Sequence, residues 1–336
     1  MRAVGYQTSL PIQDPASLVD IDLPTPQPLG RDLLVHVHAV SVNPVDTKVR
    51  KRAQAEPGAW KVLGYDAAGI VVATGPDVTL FKPGDAVFYA GDITRSGTNA
   101  EYHLVDERIV GRKPTSLDWP QAAALPLTAI TAWEALFDRL DVQKPVPGSN
   151  AILVIGGAGG VASIAVQLAR QLTGLTVIGT ASRPETAAWV RDLGAHHVID
   201  HSKPLAGQTE TLGAPGFVFS TTQTDTHLAE IVALIAPQGR FGLIDDPATL
   251  DVIAFKRKAV SVHWELMFTR PIFQTVDMAE QGVLLNEVAR LVDAGTLRTT
   301  LGENFGPINA ANLRRAHALI ESGRARGKVV LAGFAA

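Results

Sequence analysis

The residues best placed by type and spacing to do chemistry are Gly157-Ala-Gly159-Gly160-Val161-Ala162, of the form G-x-G-x-x-A. They follow an aliphatic run, Ala151 to Ile155, that reads as a strand buried on both faces of a parallel sheet. After them Val161, Ile164, Ala165 and Leu168 recur at helical spacing. Strand, glycine turn and helix form the context in which such a motif cradles a pyrophosphate. Gly157 makes the tight turn, Gly159 lets the backbone approach the phosphates, and Ala162 stands where helix and strand pack closely. Gly160 and Val161 open the helix, whose free N–H groups and positive dipole end point at the anion.

The stretch from Pro145 to Ala169 carries no charge and contains Gly156-x-x-x-Gly160, so a membrane span is the competing reading. Four glycines at its centre, and further strand-helix units after it, argue against that. The next strand, Thr176 to Thr180, runs into Ala181-Ser182-Arg183-Pro184. An Asp or Glu here would bind the ribose 2′-hydroxyl of NAD. None is present, and Ser182 and Arg183 suit the 2′-phosphate of NADPH instead. The competing reading makes Ser182 and Arg183 only the start of the next helix, with Pro184 in its first turn.

A chain of 336 residues is too long for one compact core, so two domains are expected. Apolar residues make up 46% and charged residues 19%, which suits a globular protein. A net charge of −3 gives no general nucleic-acid footprint. The first residues lack the apolar core of a signal peptide, and no spanning helix is read elsewhere, so a cytoplasmic protein with no membrane partner is expected. The absence of cysteine excludes disulfides, thiolate catalysis and cysteine-ligated zinc.

Residues 1 to about 125 read as mostly β with many turns. His36 and His38 alternate with Val35, Val37 and Ala39, which puts the histidines on the wetter face of a half-buried strand or, with a third ligand, on a metal. Lys48, Arg50, Lys51 and Arg52 read as a solvated basic face, or in part as the wall of an active site. Thr128 to Leu140 reads as a helix. Helices at Pro184–Leu193 and Thr224–Ile235 then alternate with strands at His197–Ile199, Phe217–Ser220 and Gly239–Ile244. That alternation predicts a parallel, doubly wound sheet with Ala259 to Trp264 as its sixth strand. The tail, with an amphipathic Leu284–Val292, a helix Ala310–Ser322 and a strand Val329–Leu331, is expected to return to the first domain.

Several segments together resemble the medium-chain dehydrogenase/reductase superfamily in its zinc-free quinone oxidoreductase branch. They are Val42-Asn-Pro-Val-Asp-Thr47, Leu63-Gly-Tyr-Asp-Ala-Ala-Gly69, Phe81-Lys-Pro-Gly-Asp85, Ala100-Glu-Tyr102, Leu125-Pro-Leu-Thr-Ala129, the glycine turn and Gly327-Lys-Val-Val330. Ala90-Gly-Asp-Ile-Thr94 and Trp264 to Arg270 look like a bacterial subgroup labelled zinc-type alcohol dehydrogenase-like. The resemblance implies an α/β fold: a GroES-like β-rich catalytic domain over 1–127, a Rossmann NADPH-binding domain over 128–268, and a return to the catalytic domain over 269–336. It also implies a homodimer formed through the sixth strand.

Zinc members of the superfamily carry a Cys near Asn43 and a His in Gly-His-Glu, where this chain has Gly64-Tyr65-Asp66. The usual ligand set is therefore absent, and no metal is expected. Conjugated acceptors need no Lewis acid as an alkoxide does, so the resemblance implies NADPH-dependent reduction of quinones or α,β-unsaturated carbonyls. Asn43 and Asp46 match the family segment beside the nicotinamide, and Thr128 matches a threonine at the same end. Lys48 stands where quinone reductases often carry Tyr. Asn43, Lys48 and Thr128 are the expected catalytic donors. His201 corresponds to a Tyr beside the 2′-phosphate, or is a surface histidine. Gly242 joins the cofactor set, and Lys328 matches the family Gly-Lys or is a strand-edge charge. The alternatives are a non-catalytic NADPH-binding sensor or regulator, and an alcohol or aldehyde reductase with unusual zinc ligands such as Asp46 and Asp66.

Overall fold

The computed structural model describes residues 1–334, which divide into two compact units: Met1–Ile130 with the chain from Phe268 onward, and Thr131–Met267. The second unit is built on a six-stranded parallel sheet. Its order is His197–Ile199, Thr176–Thr180, Ala151–Ile155, Phe217–Ser220, Arg240–Leu243 and Ser261–Trp264. The glycine-turn strand Ala151–Ile155 is central and buried along its whole length, which accounts for its unbroken aliphatic run. The sixth strand is the sheet edge and leaves Trp264 54% exposed.

The first unit is organised on Asp32–Val42, an eleven-residue strand inside a seven-stranded sheet. It pairs antiparallel with Lys328–Ala332, with Ala67–Thr74 and with Tyr102–Asp106. Its Leu33, Val35, Val37, Val40 and Val42 join Leu313, Val329 and Leu331 in one continuous apolar core. Register matters most at one end. Val42 faces Val329, so Asn43 and Lys328, one residue further along each strand, are brought side by side. Val40 faces Ala67, which sets Asp66 next to the same end.

Two expectations are corrected. The basic run 48–52 is the second half of a helix, Pro44–Arg52, and is not simply a solvated face. Arg50 is fully buried, donates to the Leu10 carbonyl and pairs with Glu321, while Lys51 remains exposed. Lys328 is no edge charge either, since its strand lies between Leu301–Asn304 and Asp32–Val42. The paired histidines stack on aromatic rings: His38 lies on Trp119 at 4.5 Å between ring centroids, and His36 on Tyr102 at 5.1 Å.

The helix expected over Thr128–Leu140 is α-helical only at Pro126–Trp133 and continues as a π-turn over Glu134–Arg139. The wider turn accommodates two buried acids. Glu134 hydrogen-bonds Glu265, and Arg139 Nε donates to Glu265 Oε2 at 2.9 Å. Burial, and then the Glu134 carboxyl, push Glu265 up to about 9, so it holds a proton at neutral pH. A carboxyl raised in the folded state stabilises the fold below its unfolded value near 4.5, and that stability is lost as pH rises toward 9. Between about pH 5 and 9 the unfolding free energy from urea titration is expected to fall more steeply for the native chain than for Glu265→Gln, by at most about 1.4 kcal/mol per pH unit. Parallel curves for the two proteins would contradict a protonated Glu265.

Candidate functional site

Each unit carries its own set of candidate residues. In the second unit the strand ends at Ile155 and turns through Gly156 to Gly159 into the helix Gly160–Leu172. Gly156 has φ +81°, and a Cβ there would lie 2.7 Å from Thr221 Oγ1. A Cβ on Gly157 would meet the Thr180 carbonyl at 2.9 Å. Only glycine lets the turn fold back this closely. Gly159 caps the helix with extended backbone and no side-chain bond, so the first N–H groups of Gly160 and Val161 are left for an anion. Ala162 is fully buried behind them. This cradle fits a dinucleotide pyrophosphate.

Thr180 ties the next segments to the turn. Its Oγ1 accepts from the Gly156 N–H at 3.0 Å and lies 3.0 Å from His201 Nδ1. Burial lowers the His201 pKa, Asp200 opposes the shift, and the Arg183 charge adds to it. Ser182 is exposed at the end of the strand. Arg183 caps the helix Pro184–Asp192, and its Nε lies 3.2 Å from Glu185 Oε1. It thus begins the helix while presenting a partly exposed guanidinium. Gly242 is placed by packing, since a Cβ there would meet the Leu140 side chain at 3.2 Å.

In the first unit Asn43, Asp46, Asp66 and Lys328 form one buried polar cluster. Lys328 Nζ has three acceptors, Val42 O at 3.1 Å, Asp66 Oδ2 at 3.1 Å and Asn43 Oδ1, which match its three hydrogens. Asn43 Nδ2 donates to Asp66 Oδ2 at 2.8 Å and to Ser41 O at 3.4 Å. Asp66 Oδ1 accepts from the Leu127 N–H at 2.7 Å, which fixes the start of the helix bearing Thr128. Asp46 accepts from the backbone of Asn43 at 2.7 Å and of Gly64 at 3.0 Å, and so caps the helix Pro44–Arg52. Burial raises the pKa of Asp46 to about 7; it also pushes the Asp66 carboxyl above its ordinary range, and the Lys328 ammonium opposes both shifts.

The structure therefore brings Asn43, Asp46 and Lys328 together and places Thr128 one residue beyond Leu127. The Thr128 hydroxyl donates to Leu125 O at 3.0 Å. Lys48 is half-buried, two residues beyond Asp46 on the same helix. Asp66, which ties the cluster together, lies outside the expected site set, although the Gly64-Tyr65-Asp66 motif pointed to it. Among the described residues no group of three or more His, Cys, Asp or Glu is placed to hold a metal ion. Asp46 and Asp66 are already engaged by backbone donors, Asn43 and an ammonium, so this donor set does not fit a catalytic zinc.

Lys328→Met would leave two buried carboxyls without their cation. Its expected cost is about 3–5 kcal/mol in chemical denaturation, with part recovered in the double variant Lys328→Met/Asp66→Asn. A variant of full stability that has lost only dinucleotide affinity would instead make Lys328 a direct cofactor contact.

Residues 30–115 match the alcohol dehydrogenase GroES-like domain, and residues 193–331 match the zinc-binding dehydrogenase family. The zinc-type alcohol dehydrogenase-like protein SACOL2177 of Staphylococcus aureus strain COL is 39% identical over 98% of this chain and 99% of its own length. A protein of Rhizobium etli CFN 42, known from its crystal structure and assigned only provisionally as a zinc-dependent alcohol dehydrogenase, is 70% identical, with a TM-score of 0.98 over 100% of this chain and 99% of that one. The quinone oxidoreductase of Coxiella burnetii is 27% identical with a TM-score of 0.82, covering 99% of each chain. Mycobacterial Rv1454c, solved with NADPH, is 26% identical with a TM-score of 0.83, covering 99% of this chain and 100% of its own. On sequence and fold together, this chain belongs to the medium-chain dehydrogenase/reductase superfamily of oxidoreductases.

Proposed function

We propose that the protein is an NADPH-dependent reductase of quinones or α,β-unsaturated carbonyls that works without a catalytic zinc. The observation that carries this reading is the buried Lys328 ammonium, held by Asp66 and Asn43, which belong to the two segments that resemble the zinc-ligand segments of the superfamily. A quinone oxidoreductase and an NADPH complex among its structural neighbours support the choice of acceptor and cofactor. When bound, the reduced nicotinamide supplies a hydride. The glycine turn and the helix starting at Gly160 hold the pyrophosphate, and Ser182, Arg183 and His201 bind the 2′-phosphate. Asn43 and Thr128 shape the nicotinamide end, and Lys48 adds positive charge to it. The acceptor's negative charge spreads over a conjugated system, so oriented hydrogen bonds suffice in place of a Lewis acid.

The exposed sixth strand, with Trp264 on it, supports pairing with a second copy of the chain, a homodimer. Sedimentation should then give a dimer mass that Trp264→Lys reduces, and a native monomer at all concentrations would refute it. No helix among the described residues is long and apolar enough to cross a membrane.

The cofactor is tested by titration. Native protein should bind NADPH more tightly than NADH, and Arg183→Ala should weaken NADPH about ten- to a hundredfold while leaving NADH nearly unchanged. The Arg183–Glu185 pair is solvent-exposed and is worth little by comparison. Equal affinity for both cofactors in the native protein would contradict the assignment. Oxidation of NADPH against a panel of quinones, enals and enones identifies the acceptor class.

A further inference from the structure

We propose that the Tyr65 hydroxyl is the hydrogen-bond donor to the substrate oxygen on which negative charge develops. This deepens the reductase reading and rests on it. The argument begins with an accounting of donors. Asn43, Lys328 and Thr128 spend their hydrogens inside the protein, as do Thr47 on Pro44 O and Thr98 on Asp66 O. Tyr65 does not: no hydrogen bond joins its hydroxyl to any described residue. A phenol whose hydrogen is not spent inside the fold can give it to a ligand oxygen.

The side chain is held as a fixed donor would be. Its neighbours are both anchored, Gly64 by its N–H to Asp46 and Asp66 by Asn43, Lys328 and Leu127. Gly64 has φ +114°, and a Cβ there would fall 2.4 Å from Thr98 Oγ1, so the backbone has one course at this point. The Tyr65 ring is 2% exposed and packs edge-on against Phe268 at 5.4 Å between centroids. Ser41 Oγ is a second unpaired hydroxyl, but it is sealed from solvent, whereas the Tyr65 oxygen still touches it. Burial, then the Asp46 charge, raise the Tyr65 pKa, so the phenol keeps its proton and serves as donor at physiological pH. A rigid, pre-oriented donor needs little reorganisation as charge develops on the acceptor. No proton need leave the tyrosine, because solvent protonates the reduced product.

Tyr65→Phe tests this by keeping the ring on Phe268 and removing one oxygen. With NADPH and a quinone or enone, kcat should fall about 10²-fold, while the NADPH Kd and the thermal midpoint stay at their native values. A second readout needs no turnover. Substituted phenolates, used as oxyanion stand-ins with NADP+ present, should bind at least tenfold less tightly to the variant, and affinity should rise with phenolate pKa only in the native protein. Native kcat and native phenolate affinity in Tyr65→Phe, with or without a lower thermal midpoint, would overturn the proposal and leave the reductase reading standing. Native protein that binds NADPH but reduces no acceptor would overturn the reductase reading, and the role of Tyr65 with it.

Discussion

The arrangement of the first unit depends on one buried ammonium. Lys328 and Asn43 lie 285 residues apart in sequence and meet because the last strand pairs with Asp32–Val42 in a single register. Around that contact Asp66 joins a third strand and Leu127 the start of a helix, while Asp46 on Gly64 closes the opposite side. Two buried carboxyls and one ammonium are costly to desolvate, so such a cluster contributes little to stability as a whole and much to specificity of geometry. Removing Lys328 leaves the Asp66 carboxyl buried without its cation, and removing Asp66 leaves the ammonium buried without its carboxylate.

What was legible in the sequence follows from how local each determinant is. A strand buried on both faces is written as a continuous aliphatic run, and Ala151–Ile155, Thr176–Thr180 and Phe217–Ser220 fall where their residues predict. The glycine turn is legible because close backbone approach admits almost no other residue. Helix ends shift by a residue, as at Asp192 in place of Leu193, because the final carbonyls are capped by a residue that leaves the helix.

The misreadings share another cause. Arg50 and Lys51 are adjacent, alike in chemistry and both paired with Glu321, yet Arg50 is sealed there and on the Leu10 carbonyl while Lys51 is exposed. Composition cannot separate them, because the partner Glu321 comes from a distant helix. Lys328 is ambiguous in the sequence for the same reason. The π-turn at Glu134–Arg139 begins at an acid that meets Glu265 from far along the chain, a contact that leaves no local pattern. Of the donors expected for catalysis, Asn43, Lys48 and Thr128, the first and last prove to be engaged within the fold, and only the folded structure reveals that Tyr65 keeps a hydrogen to give.

The glycine cradle suits dinucleotide binding, and on the proposed reading the ammonium-centred cluster suits a chemistry that dispenses with zinc despite the zinc-binding family the chain matches. The most direct test is single-turnover hydride transfer from NADPH and from its 4-deuterated form to a conjugated acceptor, before and after exhaustive chelation, with the metal content of the protein measured alongside. The account predicts a primary isotope effect and a transfer rate that chelation leaves unchanged, with zinc well below one equivalent. Loss of transfer on chelation, restored by added zinc, would contradict it.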